Sequence, residues 1–379
     1  MVEMMKSKKA LLAVALMSAG AVAHAQSSVT LYGRLDAGIE YMSGLPGSNG
    51  TGSTSRWRQE SGDWGTSLWG LKGVEDLGNG NKAVFQLEGA FSTATGSLGQ
   101  SGSLFDRIAT VGLANNNFGT LLLGRELQIA NGDWDFDPFG QSNWSSASLV
   151  RGRNWEHTSN NISYQSPKID GFDVFGQYGL SNSTDFNAGV PGAATGRTDG
   201  AQVTYTNSLF QIRGIYDEIR DPLNGQLDNP FTASREYFVG ANVFLGQFKV
   251  QAAYTAERTS GGVITPTGSP NAPTTADMEW GGVTYQATPA AALIAAVYHV
   301  NTNNGGGNAT IYTIGGTYNV SKRTLFDIQI ATVRNSSTAN FGLDANSEGA
   351  GGLSDGTFNE NPVTGRSQTG VYAGIQHTF

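Results

Sequence analysis

The chain has 379 residues, 52 of them glycine and none cysteine, and a formal charge of −8. The acidic balance excludes nucleic acid as a partner, since phosphates need a basic footprint, and the absent thiols exclude disulfides and cysteine-held metals. Aromatics make up 10% of the chain, which argues against a disordered low-complexity polymer, and no motif calls for a cofactor.

At the start of the chain, Lys6, Lys8 and Lys9 precede an apolar run over residues 10–23, and Ala23-His24-Ala25 has the small-x-small pattern of a signal-peptidase site. The run is too short to span a bilayer as a helix. Residues 1–25 therefore read as an export signal that is cleaved, and residues 26–379 as one mature domain, more acidic still once three lysines and one glutamate are gone. No mature segment reaches the ~18 consecutive apolar residues of a transmembrane helix. The other way to span a membrane is a closed barrel, which satisfies every backbone group between strands.

The mature chain fits that solution, because it reads as short alternating segments parted by turn residues. From Val29 to Tyr41 one parity is apolar or small, while the other carries Arg34, Asp36 and Glu40. Such a strand suits lipid on one face and water on the other. Tight turns recur at 77–80, 115–119, 166–171, 206–208, 245–247, 288–289 and 319–323. Longer polar connections lie between them, at 42–63, 92–103, 128–156, 182–196, 220–234, 259–276, 302–309 and 336–366. Seven turns and eight loops join sixteen strands, with both termini on the short-turn side. Aromatic pairs bracket the turns (Tyr164 and Phe172, Tyr205 and Phe210, Phe244 and Phe248) where an interfacial girdle belongs. A soluble β-sandwich also alternates, but it does not explain the one-sided split of short and long connections.

The chain ends on Tyr372-Ala-Gly374-Ile-Gln-His377-Thr-Phe379, an alternating strand closed by an aromatic. This resembles the terminal strand by which outer-membrane barrels are recognised and inserted, and makes Tyr372, Gly374, His377 and Phe379 the candidate signal for the barrel-assembly machinery. Several internal motifs resemble the general porins of β-proteobacteria. They are Ser28-Val-Thr-Leu-Tyr-Gly-Arg-Leu-Asp-Ala-Gly38, Trp69-Gly-Leu-Lys-Gly-Val-Glu-Asp-Leu-Gly-Asn-Gly80, Lys82-Ala-Val-Phe-Gln-Leu-Glu88, Phe105-Asp-Arg107, Phe118-Gly-Thr-Leu-Leu-Leu-Gly-Arg125 and Tyr318-Asn-Val-Ser-Lys-Arg-Thr324. The resemblance implies an all-β, sixteen-stranded antiparallel transmembrane barrel with an inward-folded third loop. It further implies a homotrimer in outer-membrane lipid and passive diffusion of ions and small hydrophilic solutes.

It also implies a constriction in which wall arginines face acids on the third loop, and such opposed charges set up a transverse field that filters solutes. Arg34 and Arg107 match basic wall positions, while Leu68 and His157 stand where arginines are usual and Arg151 and Arg153 lie just upstream. On the loop, Asp133, Asp135 and Asp137 alternate with Trp134, Phe136 and Phe139. With Leu68 and His157 short of a permanent charge, the balance should shift negative and give a weak cation preference that acid reverses through His157. The three aspartates also begin a calcium-loop pattern, but the sixth position is Pro138 and the twelfth Trp144, where glycine and glutamate are required. Trp134, Trp144 and Trp155 read better as packing than as a stacking platform.

An enzyme is disfavoured, because the mature chain has three histidines, His157, His299 and His377, and no serine elbow beside them. The glycine-rich 336–365 stretch shows no repeat or charge run that would mark an adhesin. The other reading left open is a substrate-specific channel for small organic acids or aromatics, which differs from a general pore in the radius and lining of its narrowest point.

Overall fold

The structure, a computed structural model, describes residues 28–47, 50–150, 153–180, 196–260, 273–344 and 360–379. The export signal at 1–25 and Arg151 lie outside the described residues. Strand segments follow the alternation of the sequence. The first six are β1 (Ser28–Leu45), β2 (Thr54–Glu60), β3 (Leu68–Gly78), β4 (Asn81–Ala90), β5 (Ile108–Asn115) and β6 (Gly119–Leu127). After the third long connection come β7 (His157–Gln165), β8 (Phe172–Gly179), β9 (Thr198–Thr206), β10 (Phe210–Ile219), β11 (Arg235–Leu245) and β12 (Phe248–Arg258). The last five are β13 (Thr275–Gln286), β14 (Ala291–Thr302), β15 (Gly307–Asn319), β16 (Thr324–Asn335) and β17 (Gln368–Thr378).

Every neighbour pair from β3 to β17 is antiparallel, and β1 pairs with β17 from Arg34↔Thr378 to Ser43↔Thr369, so the sheet closes on itself. The seventeen segments make sixteen wall strands, because β2 and β3 share one position. β1 pairs with β2 along its upper half and with β3 along its lower half. Between Glu60 and Leu68 the second strand inserts residues 61–67 opposite 35–37 of β1, an excess its partner cannot match. The inserted backbone is tied back by polar bonds, with Ser67 Oγ accepting from Asp36 N at 2.9 Å and donating to Asp36 O at 3.0 Å. The first connection is correspondingly shorter than the sequence suggests, since β1 runs on to Leu45 and β2 begins at Thr54.

All seven tight turns fall where the turn residues place them. Leu31, Val111, Leu123, Val203, Val239, Ile314 and Ile328 lie on the exposed face, while Asp36, Glu88, Arg213, Asn242 and Gln251 sit buried on the other. An apolar exterior with a polar interior is the arrangement a barrel in lipid requires. The girdle forms as expected at Tyr164, Phe172 and Phe248, with Phe172 on Tyr205 at 4.6 Å and Phe248 on Tyr285 at 4.8 Å. Phe244 departs from it. Its parity in β11 is that of Asn242, so it faces inward and lines a cavity.

Candidate functional site

Residues 128–150 and 153–156 form a compact body held by the inner face of the wall. A 3₁₀ segment, Ile129–Phe136, and a helical turn, Ala147–Val150, carry it. Its apolar members Phe136, Phe139, Trp144, Leu149 and Val150 are buried with Met278, Trp280, Tyr298, Ile311 and Val333 from β13 to β16. Burying five large side chains at ~1.5–3 kcal/mol each outweighs any single polar contact. Polar bonds then set the position. Trp280 Nε1 donates to Phe136 O at 3.0 Å, Thr313 Oγ1 to Trp144 O at 2.7 Å and Ser142 Oγ to Gln329 Oε1 at 2.7 Å.

The three aspartates have three different fates. Asp137 is buried and fully engaged: Oδ1 accepts from Tyr298 Oη at 2.7 Å and Phe139 N at 2.8 Å, and Oδ2 from Ser146 N at 3.1 Å. Asp133 is also buried, with Oδ2 accepting from Gln141 Nε2 at 2.6 Å. Burial holds its carboxyl well above the usual carboxylate range, helped by Glu236 and Asp137. Only Asp135 presents its carboxylate, and Arg213 of β10 meets it at 2.7 Å. The expectation of three carboxylates opposite the wall is corrected to one, and that one is paired.

The basic residues divide as well. Arg107 is buried with its Nε 2.8 Å from Glu88 Oε1. Arg34 donates from Nε to Thr66 O at 2.8 Å and forms no ion pair among the described residues. Arg153, expected near the constriction, is instead fully buried under β10 to β12. There Nη1 lies 2.9 Å from Asp217 and 3.6 Å from Glu236, with Glu257 at 4.0 Å from Nε. Those acids sit side by side in register, Asp217↔Glu236 and Glu236↔Glu257, so burying them requires a cation between them. Leu68 pairs with Arg34 in register at the head of β3. His157 opens β7 opposite Leu127, and its Nε2 is buried with no hydrogen bond.

Among the described residues, cavities flank the body on two sides. The smaller, of about 90 Å³, includes Arg34, Arg107, Asp63 and Trp155 in its lining. The larger, of about 600 Å³, lies between Trp64, Trp134 and Phe139 on one side and Gln211, Lys249, Gln251 and Thr284 on the other. His157 and Leu68 line neither. A wall sealed edge to edge, apolar outside and polar with cavities inside, is the geometry of a transmembrane channel.

Comparison with known proteins agrees with that geometry. The Gram-negative porin family model matches residues 10–338. The chain belongs to the Gram-negative porin family. An outer membrane porin of Bordetella pertussis is 35% identical over 70% of this chain and 73% of its own length. Outer membrane porin protein 32 of Delftia acidovorans is 31% identical over 98% of this chain and 100% of its own. Among solved structures, an anion-selective porin from Comamonas acidovorans superposes with a TM-score of 0.74 at 26% identity, covering 93% of this chain and 100% of that one. The porin thus resides in the bacterial outer membrane and conducts by passive diffusion, and its family consists of channels, not enzymes.

The porin's terminal strand separates the residues proposed as an assembly signal. His377 and Phe379 are exposed on the same face as Ile375, and Phe379 exchanges both backbone hydrogen bonds with Gly33, at 3.1 and 3.2 Å. Space there is tight, since a Cβ added at Gly33 would lie 2.4 Å from the Phe379 ring and 2.8 Å from the Leu68 carbonyl oxygen. Tyr372 points the other way: it is wholly buried, donates to Asp36 Oδ1 at 2.9 Å and packs edge-on against Trp144. It anchors residues 128–156 and does not share the face of Phe379. Gly374 lies on the Tyr372 face, where the Tyr372 hydroxyl would sit 2.5 Å from an added Cβ. Of the tryptophans, Trp144 is packing, as expected, and Trp155 donates to Gln141 O at 3.2 Å, whereas Trp134 lines both cavities.

Sequence reading missed Arg213, Lys249 and Trp64. Parity alone puts Arg213 inward, between the outward Ile212 and Gly214, so its signal was present. Trp64 gave none, because the first connection reads as ending at residue 63 and nothing in the sequence marks Trp64 as part of an inserted segment.

Proposed function

We propose that this porin is a general diffusion channel with a mild anion preference, narrowed by residues 128–156 as its inward-folded third loop and assembled as a homotrimer. The observation that carries the selectivity is the state of the charges lining the two cavities beside the loop. Arg34 and Lys249 form no ion pair among the described residues, while Asp135, the one of the three loop aspartates that is presented, is matched by Arg213. A cation preference would need the loop aspartates as free charges, and two of them are buried. A relative described as anion-selective supports the same sign. In the trimer, β1 to β6, the first five wall strands, and the connection after β4 would form the interface, residues 1–25 would be removed on export, and Phe379 would end the strand that the assembly machinery reads.

Catalysis has no support in the histidines: His299 Nδ1 bonds Thr310 Oγ1 at 2.8 Å and His377 Nδ1 bonds Thr324 Oγ1 at 2.9 Å, neither chained to an acid. One preparation tests the proposal. Protein extracted from outer membranes in mild detergent should have the mass of three chains, and its reversal potential in a potassium chloride gradient should have the sign of chloride permeation. A conducting monomer or a cation-selective potential would overturn it.

A further inference from the structure

The larger cavity is not a charge filter of the expected kind, because its two sides differ in chemistry and not in sign. On the loop side it presents the indoles of Trp64 and Trp134. On the wall side Gln211, Asn242 and Gln251 face inward in register across β10, β11 and β12. Asn242 Nδ2 donates to Gln211 Oε1 at 2.9 Å and to Asp135 O at 3.0 Å, and Gln251 Nε2 reaches the same carbonyl at 3.2 Å. The amides are therefore committed to holding the loop, and they leave one feature free. Lys249, opposite Thr284 in register, makes a single long bond of 3.4 Å to Asp135 O. An ammonium has three donors, so most of its capacity remains for a ligand. Asp135, the nearest presented acid, is occupied by Arg213.

We propose that this cavity is a subsite for small planar aromatic carboxylates, with the carboxylate on Lys249 and the ring against Trp64 and Trp134. The inference rests on the channel reading above and names the solute class for it. A cation facing apolar ring surface across a passage of about 600 Å³ favours a solute with one charged end and one flat apolar end. A small aliphatic acid satisfies only the lysine and a neutral aromatic only the rings. A sugar would find the indoles but would leave the ammonium's charge unmatched.

The test is block of single-channel potassium chloride current in planar bilayers by benzoate, acetate, benzyl alcohol and maltose, each added alone. Chloride conductance is recorded first, so a failed channel reading shows itself as no current at all, before any solute is added. Benzoate should block at concentrations about fivefold lower than acetate or benzyl alcohol, as expected when one charge-assisted bond adds to ring contact. Lys249→Gln should raise the half-blocking concentration of benzoate about fivefold, Lys249→Arg should restore it, and Trp134→Leu should weaken benzoate and benzyl alcohol together. Equal block by benzoate and acetate, preferential block by maltose, or a Lys249→Gln channel that still prefers benzoate would each overturn the proposal.

Discussion

Residues 128–156 meet the wall on two sides, and the two contacts are built differently. Toward the closure of β1 with β17, the wall is densely charged: Arg34, Arg107 and Asp63 line a space of only about 90 Å³, and Glu88 and Asp36 are buried in the wall nearby. Arg107 is spent on Glu88, and Asp36 on Tyr372 and Gln376. Toward β10 to β15 the wall offers amides and hydroxyls around about 600 Å³, with its charges paired, as in Arg213 with Asp135, withdrawn behind the body, as in Arg153 with its acids, or, at Lys249, left without an ion-pair partner among the described residues. The comparison shows that charge density in a lumen does not mark the open passage. Charges packed tightly neutralise one another and fix the wall, and solutes meet the few that have no partner.

The comparison is broken most severely at Arg153. Arg153→Ala leaves Asp217, Glu236 and Glu257 buried together without their cation, which should cost about 3–5 kcal/mol. Thermal unfolding of the assembled barrel, followed by its mobility shift on semi-native gels, should fall well below that of the parent. An unchanged midpoint would mean that the acids are not held by this arginine.

A smaller effect sharpens the claim about paired and unpaired charge. Arg34→Gln removes a cation with no carboxylate partner and should move the reversal potential toward potassium. The double variant Glu88→Gln with Arg107→Gln removes a neutral pair without leaving either charge buried alone, and should leave the potential near the parent's. If the double variant shifts selectivity as far as Arg34→Gln does, pairing is not what silences Arg107.

The smallest effect is a pH dependence from Asp133. Burial raises its carboxyl above the unfolded value of ~3.9, so the docked loop is favoured when this group is protonated. That stability is complete below the unfolded value and is lost as pH rises through the raised folded value. The gel midpoint should therefore be lower at pH 8 than at pH 5, and Asp133→Asn should reduce the difference. A variant with the parent's full pH dependence would assign it to other groups.

Much of the architecture was legible because barrels write themselves into sequence locally. Alternation sets which side chains meet lipid, and each tight turn carries its own glycine, asparagine or proline, so sixteen wall strands and seven turns could be counted without any tertiary information. The broken second strand was not legible, since residues 61–67 differ from a loop only in where β1 places them. The roles of the acids were not legible either. Asp133, Asp135 and Asp137 share a parity and a spacing, yet one is buried beside Gln141, one pairs with Arg213 from 78 residues away and one ties Tyr298 to Ser146.

By itself the sequence determined the closed wall, its lipid face and the terminal strand ending on Phe379, because these follow from period-two patterning and short-range turn chemistry. Only the tertiary structure decided which charges remain free, because desolvation and pairing are settled by side chains brought together from distant strands, and no spacing along the chain encodes that distance.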